Sequence, residues 1–245
     1  MRRVLFPLTA LFFFAPAARA DDAADAKAII EKAVKARGPQ PAAQTWKDRG
    51  KFTGGGFALD YAADWAFEAP DKYRFTMAGK FGELELKVVV VVNGEKAWES
   101  DGSVVREITG EKLEYARGEA YQFWVTALSP LLNDNGFALA TAPGKDVAGK
   151  PAVGVKVTRE KKPAITLYFD KGTGLLVKTE TRVRDEFQKW KEVLDEAFFS
   201  DYKEADKRQV FTTLRVVRDG KPLIESTLSD QKGADKLDAK LFEKP

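Results

Sequence analysis

Ile165-Thr166-Leu167-Tyr168-Phe169-Asp170-Lys171-Gly172-Thr173-Gly174-Leu175-Leu176-Val177-Lys178-Thr179-Glu180-Thr181 reads as one hairpin. A β-branched and aromatic run meets a turn at Asp170 to Gly174, and a second run leaves it. The pattern repeats downstream, where Val210 to Arg218 and Pro222 to Ser229 flank the turn Asp219-Gly220-Lys221. Asp-Gly between strand-like runs is a strong hairpin signal, because glycine takes positive φ without steric cost. Trp190 to Tyr202 lies between the two hairpins as a further strand. Hairpin after hairpin with little helix predicts a broad antiparallel meander. Such a sheet offers a face for binding and requires no catalytic site.

Upstream, Phe137 to Thr141 and Val153 to Thr158 read as strands, with turn signals at Pro143-Gly144 and Gly149-Lys150-Pro151. Glu111 to Leu128 reads as a helix with Leu113, Ala116, Ala120, Phe123, Trp124, Ala127, Leu128 and Leu131 on one broad face. Pro130 ends or bends it. Further strands are expected at Thr45 to Thr53, Phe57 to Glu68, Lys72 to Met77, Glu83 to Val92, Lys96 to Glu99 and Val104 to Ile108. Gly54-Gly55-Gly56, Pro70-Asp71, Asn93-Gly94 (a type I′ signal) and Asp101-Gly102 separate them. Phe57 to Glu68 is the clearest. Phe57, Leu59, Tyr61, Ala63, Trp65 and Phe67 occupy one face, and Ala58, Asp60, Ala62, Asp64, Ala66 and Glu68 the other. Near the N-terminus, Asp22 to Arg37 reads as a helix that Asp21, Asp22 or Asp25 can cap. Ala26, Ile29, Ile30, Ala33 and Val34 form its stripe, and Gly38-Pro39 stops it. Asp235 to Phe242 is a short terminal turn or helix. The sum is a mainly β, α+β chain of about eleven to twelve strands and two main helices, in a single domain over residues 21–245.

The first twenty residues read as a targeting segment rather than structure. Arg2 and Arg3 precede the apolar run Val4 to Phe14, and Ala18-Arg19-Ala20 is a small-x-small cleavage site before Asp21. Export to the periplasm, or an equivalent compartment, is the expectation. Lys+Arg number 40 against 37 Asp+Glu, and Arg2, Arg3 and Arg19 account for the difference. The mature chain is thus neutral and gives no case for nucleic acid. There is no Cys and no His. Disulfides, an N-terminal Cys lipid anchor, His-based metal sites, and Ser-His-Asp or Cys-His catalysis are therefore excluded. Carboxylate chemistry remains open, and no catalytic residue, metal site or cofactor is expected.

The remaining features have plain readings. Gly54-Gly55-Gly56 is a hairpin tip, since no Lys-Ser/Thr and no helix follow as a phosphate loop needs. Val88 to Val92 is a buried or edge strand, too short to span a bilayer. Asp60 and Asp64 could pair as carboxylates but read as solvated surface. Glu107, Glu111 and Glu114 read as a charged helix start. The face of Phe57, Leu59, Tyr61, Trp65 and Phe67 reads either as closed core or as the lining of a partly open cavity.

Four stretches carry a family resemblance: Leu167 to Lys178, Ser200-Asp201-Tyr202-Lys203-Glu204, Arg218-Asp219-Gly220-Lys221-Pro222, and Leu237-Asp238-Ala239-Lys240-Leu241-Phe242. With the order helix, hairpins, mid-chain helix, hairpins, the chain resembles the LolA-like superfamily of periplasmic lipoprotein carriers. The resemblance implies a curved, unclosed antiparallel β half-barrel with helices covering its concave side. It implies binding of lipid, or of the acyl chains of lipidated protein, with membrane-bound donor and acceptor proteins as partners of a monomeric carrier. Carried onto this chain, the cavity lining is Phe57, Leu59, Tyr61, Trp65, Phe67, Tyr73, Phe75 and Met77. The lid helix presents Phe123, Trp124 and Leu128. A non-catalytic interaction or sensor domain with a filled core is the alternative on the same fold. No arginine latch between sheet and lid stands out, with Arg49 and Arg74 the nearest candidates.

Overall fold

The computed structural model describes residues 18–245; most of the expected targeting segment, 1–17, lies outside them. The chain forms helix α1 (Ala18–Arg37), then strands β1 (Ala43–Gly54), β2 (Phe57–Glu68), β3 (Lys72–Phe81), β4 (Leu84–Asn93), β5 (Lys96–Ser100) and β6 (Val105–Ile108). Helices α2 (Gly110–Thr126) and α3 (Pro130–Asn133) follow. Then come β7 (Phe137–Val147), β8 (Lys150–Arg159), β9 (Ile165–Asp170), β10 (Leu176–Asp185) and β11 (Lys191–Ser200). A small ribbon of β12 (Lys203–Ala205) and β13 (Arg208–Val210) precedes β14 (Thr213–Arg218) and β15 (Lys221–Ala234).

Thirteen strands make one antiparallel sheet in the order β6-β5-β4-β3-β2-β1-β15-β14-β11-β10-β9-β8-β7, with β6 and β7 left as edges. The expected unclosed half-barrel is therefore present, with more strands than anticipated. Part of the difference is that Val210 to Arg218 is not one strand. Its start pairs with β12, and only Thr213 onward joins the large sheet.

The turns show why these hairpins form where they do. Asp219 and Gly220 both take positive φ, the type I′ pattern read from the sequence. At Asn93-Gly94 the register differs. Asn93 pairs with Lys96, so the loop is Gly94-Glu95, and only Gly94 has positive φ, the type II′ pattern. Pro143-Gly144 is no turn. It lies inside β7 at a register shift between Ala142 and Lys145, and proline is tolerated there because β7 is an edge strand.

The two faces of the sheet are covered differently. On the concave face, α1 lies against β7 and β8, burying Ala26, Ile30 and Ala33, and Asp22 sits within the helix accepting a bond from the Thr141 amide at 3.0 Å. Helix α2 crosses from β4 and β5 to β10. On the convex face the C-terminal segment runs over β2 to β5, and Phe242 packs on Ala66, Val89 and Val91. The valine run is thus a central strand buried on both sides, which is why it does not alternate. Glu68 fixes the segment by accepting the Leu237 amide at 3.0 Å, and Asn93 donates to the Phe242 carbonyl at 3.2 Å.

Candidate functional site

The predicted lining residues do share one surface. The β2–β3 register sets Phe67 opposite Tyr73, Trp65 opposite Phe75 and Ala63 opposite Met77. All face the concave side, where two environments divide them.

At one end α2 covers the face. Phe123 projects between the rings of Trp46, Trp65, Phe67 and Tyr73 at centroid distances of 5.6, 5.4, 5.6 and 6.1 Å, each edge-to-face. Trp46 stacks on Trp65 at 5.5 Å. Phe67 and Tyr73 are buried here, so they belong to packed core. Trp124 turns the other way, onto Phe137 and the Arg159 guanidinium. Leu128 is not on the lid helix at all. It lies past the end of α2 with φ of 66° and is fully buried.

At the other end the same face is more open, although the predicted lining residues Leu59 and Tyr61, with Ala63, are buried there among the surrounding side chains. Phe52, Phe57, Phe75, Met77, Leu86, Val88 and Ile224 remain half-buried, forming a trough that opens at the hairpin tips. Phe187, in the β10–β11 turn, arches to Phe52 and Phe57 at 5.9 and 6.1 Å, and Phe81 meets Phe57 at 5.8 Å. Phe81, Leu84 and Phe187 are 49%, 59% and 43% exposed, which makes this mouth the main apolar outcrop of the described residues.

The inner end of the trough is polar. Asp48 is buried beside Tyr61, whose hydroxyl donates to Oδ2 at 3.1 Å. Burial pushes the Asp48 carboxyl up, while Ser226, Tyr61 and the Trp65 indole pull it back. From α2, Glu119 accepts the Tyr73 hydroxyl at 2.9 Å. Burial raises Glu119 to about 7 against the pull of Tyr73 and Arg218. Arg218 donates to Asp195 at 2.7 Å and to the Tyr115 hydroxyl at 3.3 Å, with Asp185 3.7 Å away.

These contacts, with Glu111–Arg184 and Glu99–Lys112, tie α2 to both sides of the sheet. They do the work for which Arg49 and Arg74 were candidates. Arg49 is exposed on the convex side, and Arg74 donates to the Leu241 carbonyl at 3.4 Å. Asp60 and Asp64 are exposed on the convex side too, and Glu107, Glu111 and Glu114 are exposed. Sequence reasoning missed Asp48, Glu119 and Arg218. The signal for Asp48 was its even spacing from Trp46 and Phe52 on β1. No group of potential metal ligands occurs among the described residues.

No family model and no curated protein matches the chain. Solved structures do match it. A LolA superfamily protein from Nitrosomonas europaea superposes with a TM-score of 0.58 at 13% identity, covering 89% of this chain and 97% of its own. A DUF1329 family protein from Desulfovibrio piger gives 0.58 at 17% identity over 89% and 97%. An outer membrane lipoprotein-sorting protein domain from Vibrio parahaemolyticus gives 0.56 at 11% over 91% and 97%. At these identities the likeness is one of fold, and it covers nearly the whole domain.

Proposed function

We propose that this LolA-like half-barrel is an exported carrier that takes the apolar chain of a lipid, or of a lipidated protein, into the open half of its concave face. The observation that carries the reading is the trough itself. Phe52, Phe57, Phe75, Met77 and Leu86 stay accessible on a surface whose other half is packed, and the trough opens between hairpin tips bearing Phe81, Leu84 and Phe187. Withdrawing an acyl chain from water contributes about 0.8 kcal/mol per methylene, so binding needs no reactive group. The function is binding and delivery, with no reaction assigned. The lipoprotein-sorting description of one structural relative makes acyl chains the first ligands to try. On this reading the chain works in the periplasm after loss of its targeting segment, and membrane-bound proteins load and unload it.

A second reading, an interaction or sensor domain with a filled core, is favoured by one observation. Phe123 fills the covered half as a core residue would. Gentle purification followed by native mass spectrometry separates the two. Co-purified lipid that exchanges with added long-chain lipid supports the carrier. A variant keeping Trp65 as its sole tryptophan should then change emission on lipid addition, since Trp65 adjoins both halves. A ligand-free protein whose Trp65 ignores lipid would leave the interaction domain.

A further inference from the structure

The convex face of the sheet, opposite the trough, holds a pit of about 340 Å³ between the C-terminal segment and β15. Its floor and rims follow from the register. Arg74 on β3 pairs with Ala66 on β2, Ala66 with Thr45 on β1, and Thr45 with Lys232 on β15. These four form one row across the strands, with two small side chains in the middle and a long cation at each end. The next row runs Thr76, Asp64, Lys47 and Ser229. Leu241 of the C-terminal segment closes the Arg74 side. The volume lies within the range of small-molecule sites.

An irregularity in the β1–β15 ladder sets the charges around the pit. The register shifts between Thr45 and Lys47, so Asp230 and Gln231 together oppose Trp46. Asp230 takes a positive φ of 51°, and its carboxylate meets the Lys47 ammonium at 3.2 Å. A bulge re-aims side chains in this way. Lys47 is thereby engaged away from Asp64, its cross-strand neighbour. Among the described residues no ion pair engages Arg74, Lys232 or Asp64, and Arg74 donates only to the Leu241 carbonyl at 3.4 Å. The pit is thus left with two cations on one row and one carboxylate on the next.

A guanidinium and an ammonium facing each other over Ala66 and Thr45 match an oxyanion, with the Thr45 hydroxyl as a further donor from the floor. Asp64 adds an acceptor two residues along the strands, a step of about 7 Å. An ammonium about 3 Å from Asp64 then lies about 4 Å from the oxyanion. That spacing suits an amine carried two carbons beyond a phosphate oxygen and is too long for an α-amino acid. We propose that the pit binds a phosphate ester bearing a primary amine, of the phosphoethanolamine type, with Arg74 and Lys232 on the phosphate and Asp64 on the ammonium. The site lies on the other face of the sheet from the trough and is independent of the carrier reading.

The test is calorimetric titration of the purified protein at low salt with phosphoethanolamine, inorganic phosphate and ethanolamine. Partly hydrated charges bind modestly, so phosphoethanolamine should saturate with a Kd of about 0.1–1 mM and weaken as salt is added. Phosphate and ethanolamine alone should each bind about tenfold more weakly. Asp64→Asn should bring phosphoethanolamine and phosphate to within about threefold of each other. Lys232→Gln should weaken both about fivefold. Arg74→Gln should weaken both at least as much; because it also frees the Leu241 carbonyl, the exposed Lys232 carries the test if that variant loosens the C-terminal segment. Sedimentation with vesicles containing phosphatidylethanolamine, reversed by free phosphoethanolamine, would support the site with a lipid headgroup as the source. Binding of the free compound without sedimentation would support it with a soluble one. Absence of saturable phosphoethanolamine binding would overturn the proposal. So would an unchanged preference in Asp64→Asn, or unchanged phosphate binding in Lys232→Gln.

Discussion

Phe57 and Phe67 stand on the same face of the same strand, five turns of alternation apart, and live in different solvents. Phe67 meets Phe123 of α2 edge-on and is 3% exposed. Phe57 meets the rings of Phe52, Phe81 and Phe187 near the hairpin tips and keeps contact with water. Strand geometry treats them alike, for both follow from a period of two. What separates them is the length and path of one helix. Helix α2 crosses the concave face obliquely and spends its aromatic side chain on one half, leaving the other half as trough. Amphipathic alternation thus identifies a buried-type face without saying what buries it.

The largest effect that could break this comparison is Phe67→Glu. A carboxylate placed beside Phe123 and Trp46 has no partner, so the expected cost is about 3–5 kcal/mol and the variant should fail to fold, read by near-UV circular dichroism and urea titration. A folded Phe67→Glu protein would mean that the covered half opens. Next, Phe123→Ala removes the ring that four aromatic side chains pack around, with an expected loss of about 3–5 kcal/mol in the same titration. Phe57→Glu should behave oppositely to its neighbour. Its charge can stay hydrated at the mouth, so the stability loss should be about 1 kcal/mol while retention of long-chain lipid disappears. Equal destabilisation by Phe57→Glu and Phe67→Glu would erase the distinction between the halves.

The smallest effect sharpens the comparison at its boundary. Glu119 joins α2 to Tyr73 where the covered half meets the polar interior. In the unfolded chain it ionises near the ordinary 4.5, and in the fold at about 7. Between those values the folded protein holds a proton that the unfolded chain has lost. The group's contribution is therefore complete below the ordinary value and is lost as pH rises through about 7. Glu119→Gln, which keeps an acceptor for Tyr73, should flatten this decline in the urea midpoint measured across that range. An unchanged slope would mean that Glu119 is hydrated.

Much of this was legible beforehand. The alternation of β2, the hairpin at Asp219-Gly220 and the sequence of strands follow from local chemistry, and local chemistry is what a sequence displays. The cover over each face was not legible, because it depends on how a distant helix lies. Trp124 and Leu128 share a helical stripe with Phe123, yet Leu128 ends in a different cluster and outside the helix altogether, and Trp124 packs against both clusters. Asp48 was hidden by its neighbours. Lys47-Asp48-Arg49 looks like solvated surface, and only counting inward from Trp46 places the carboxylate inside. Pro143-Gly144 misled for a related reason, since whether a proline breaks a strand depends on whether the strand has a neighbour on that side.

The middle of the sheet holds a seam with consequences in time. Strands β2 to β6 are successive hairpins, as are β7 to β11, so each array can form from neighbouring stretches of chain as these become available. The two arrays are joined by β1 against β15, where Ala43 pairs with Ala234, almost from one end of the domain to the other. Loop-closure entropy must be met before that pairing returns anything, which makes it the slow event of folding. Until β15 arrives, β1 is an unpaired edge and the concave floor is split down the middle, with Asp48 on one side and Ser226 on the other. The concave face is thus incomplete until the last strand has arrived, and the open edge is the part in most need of protection while the chain waits.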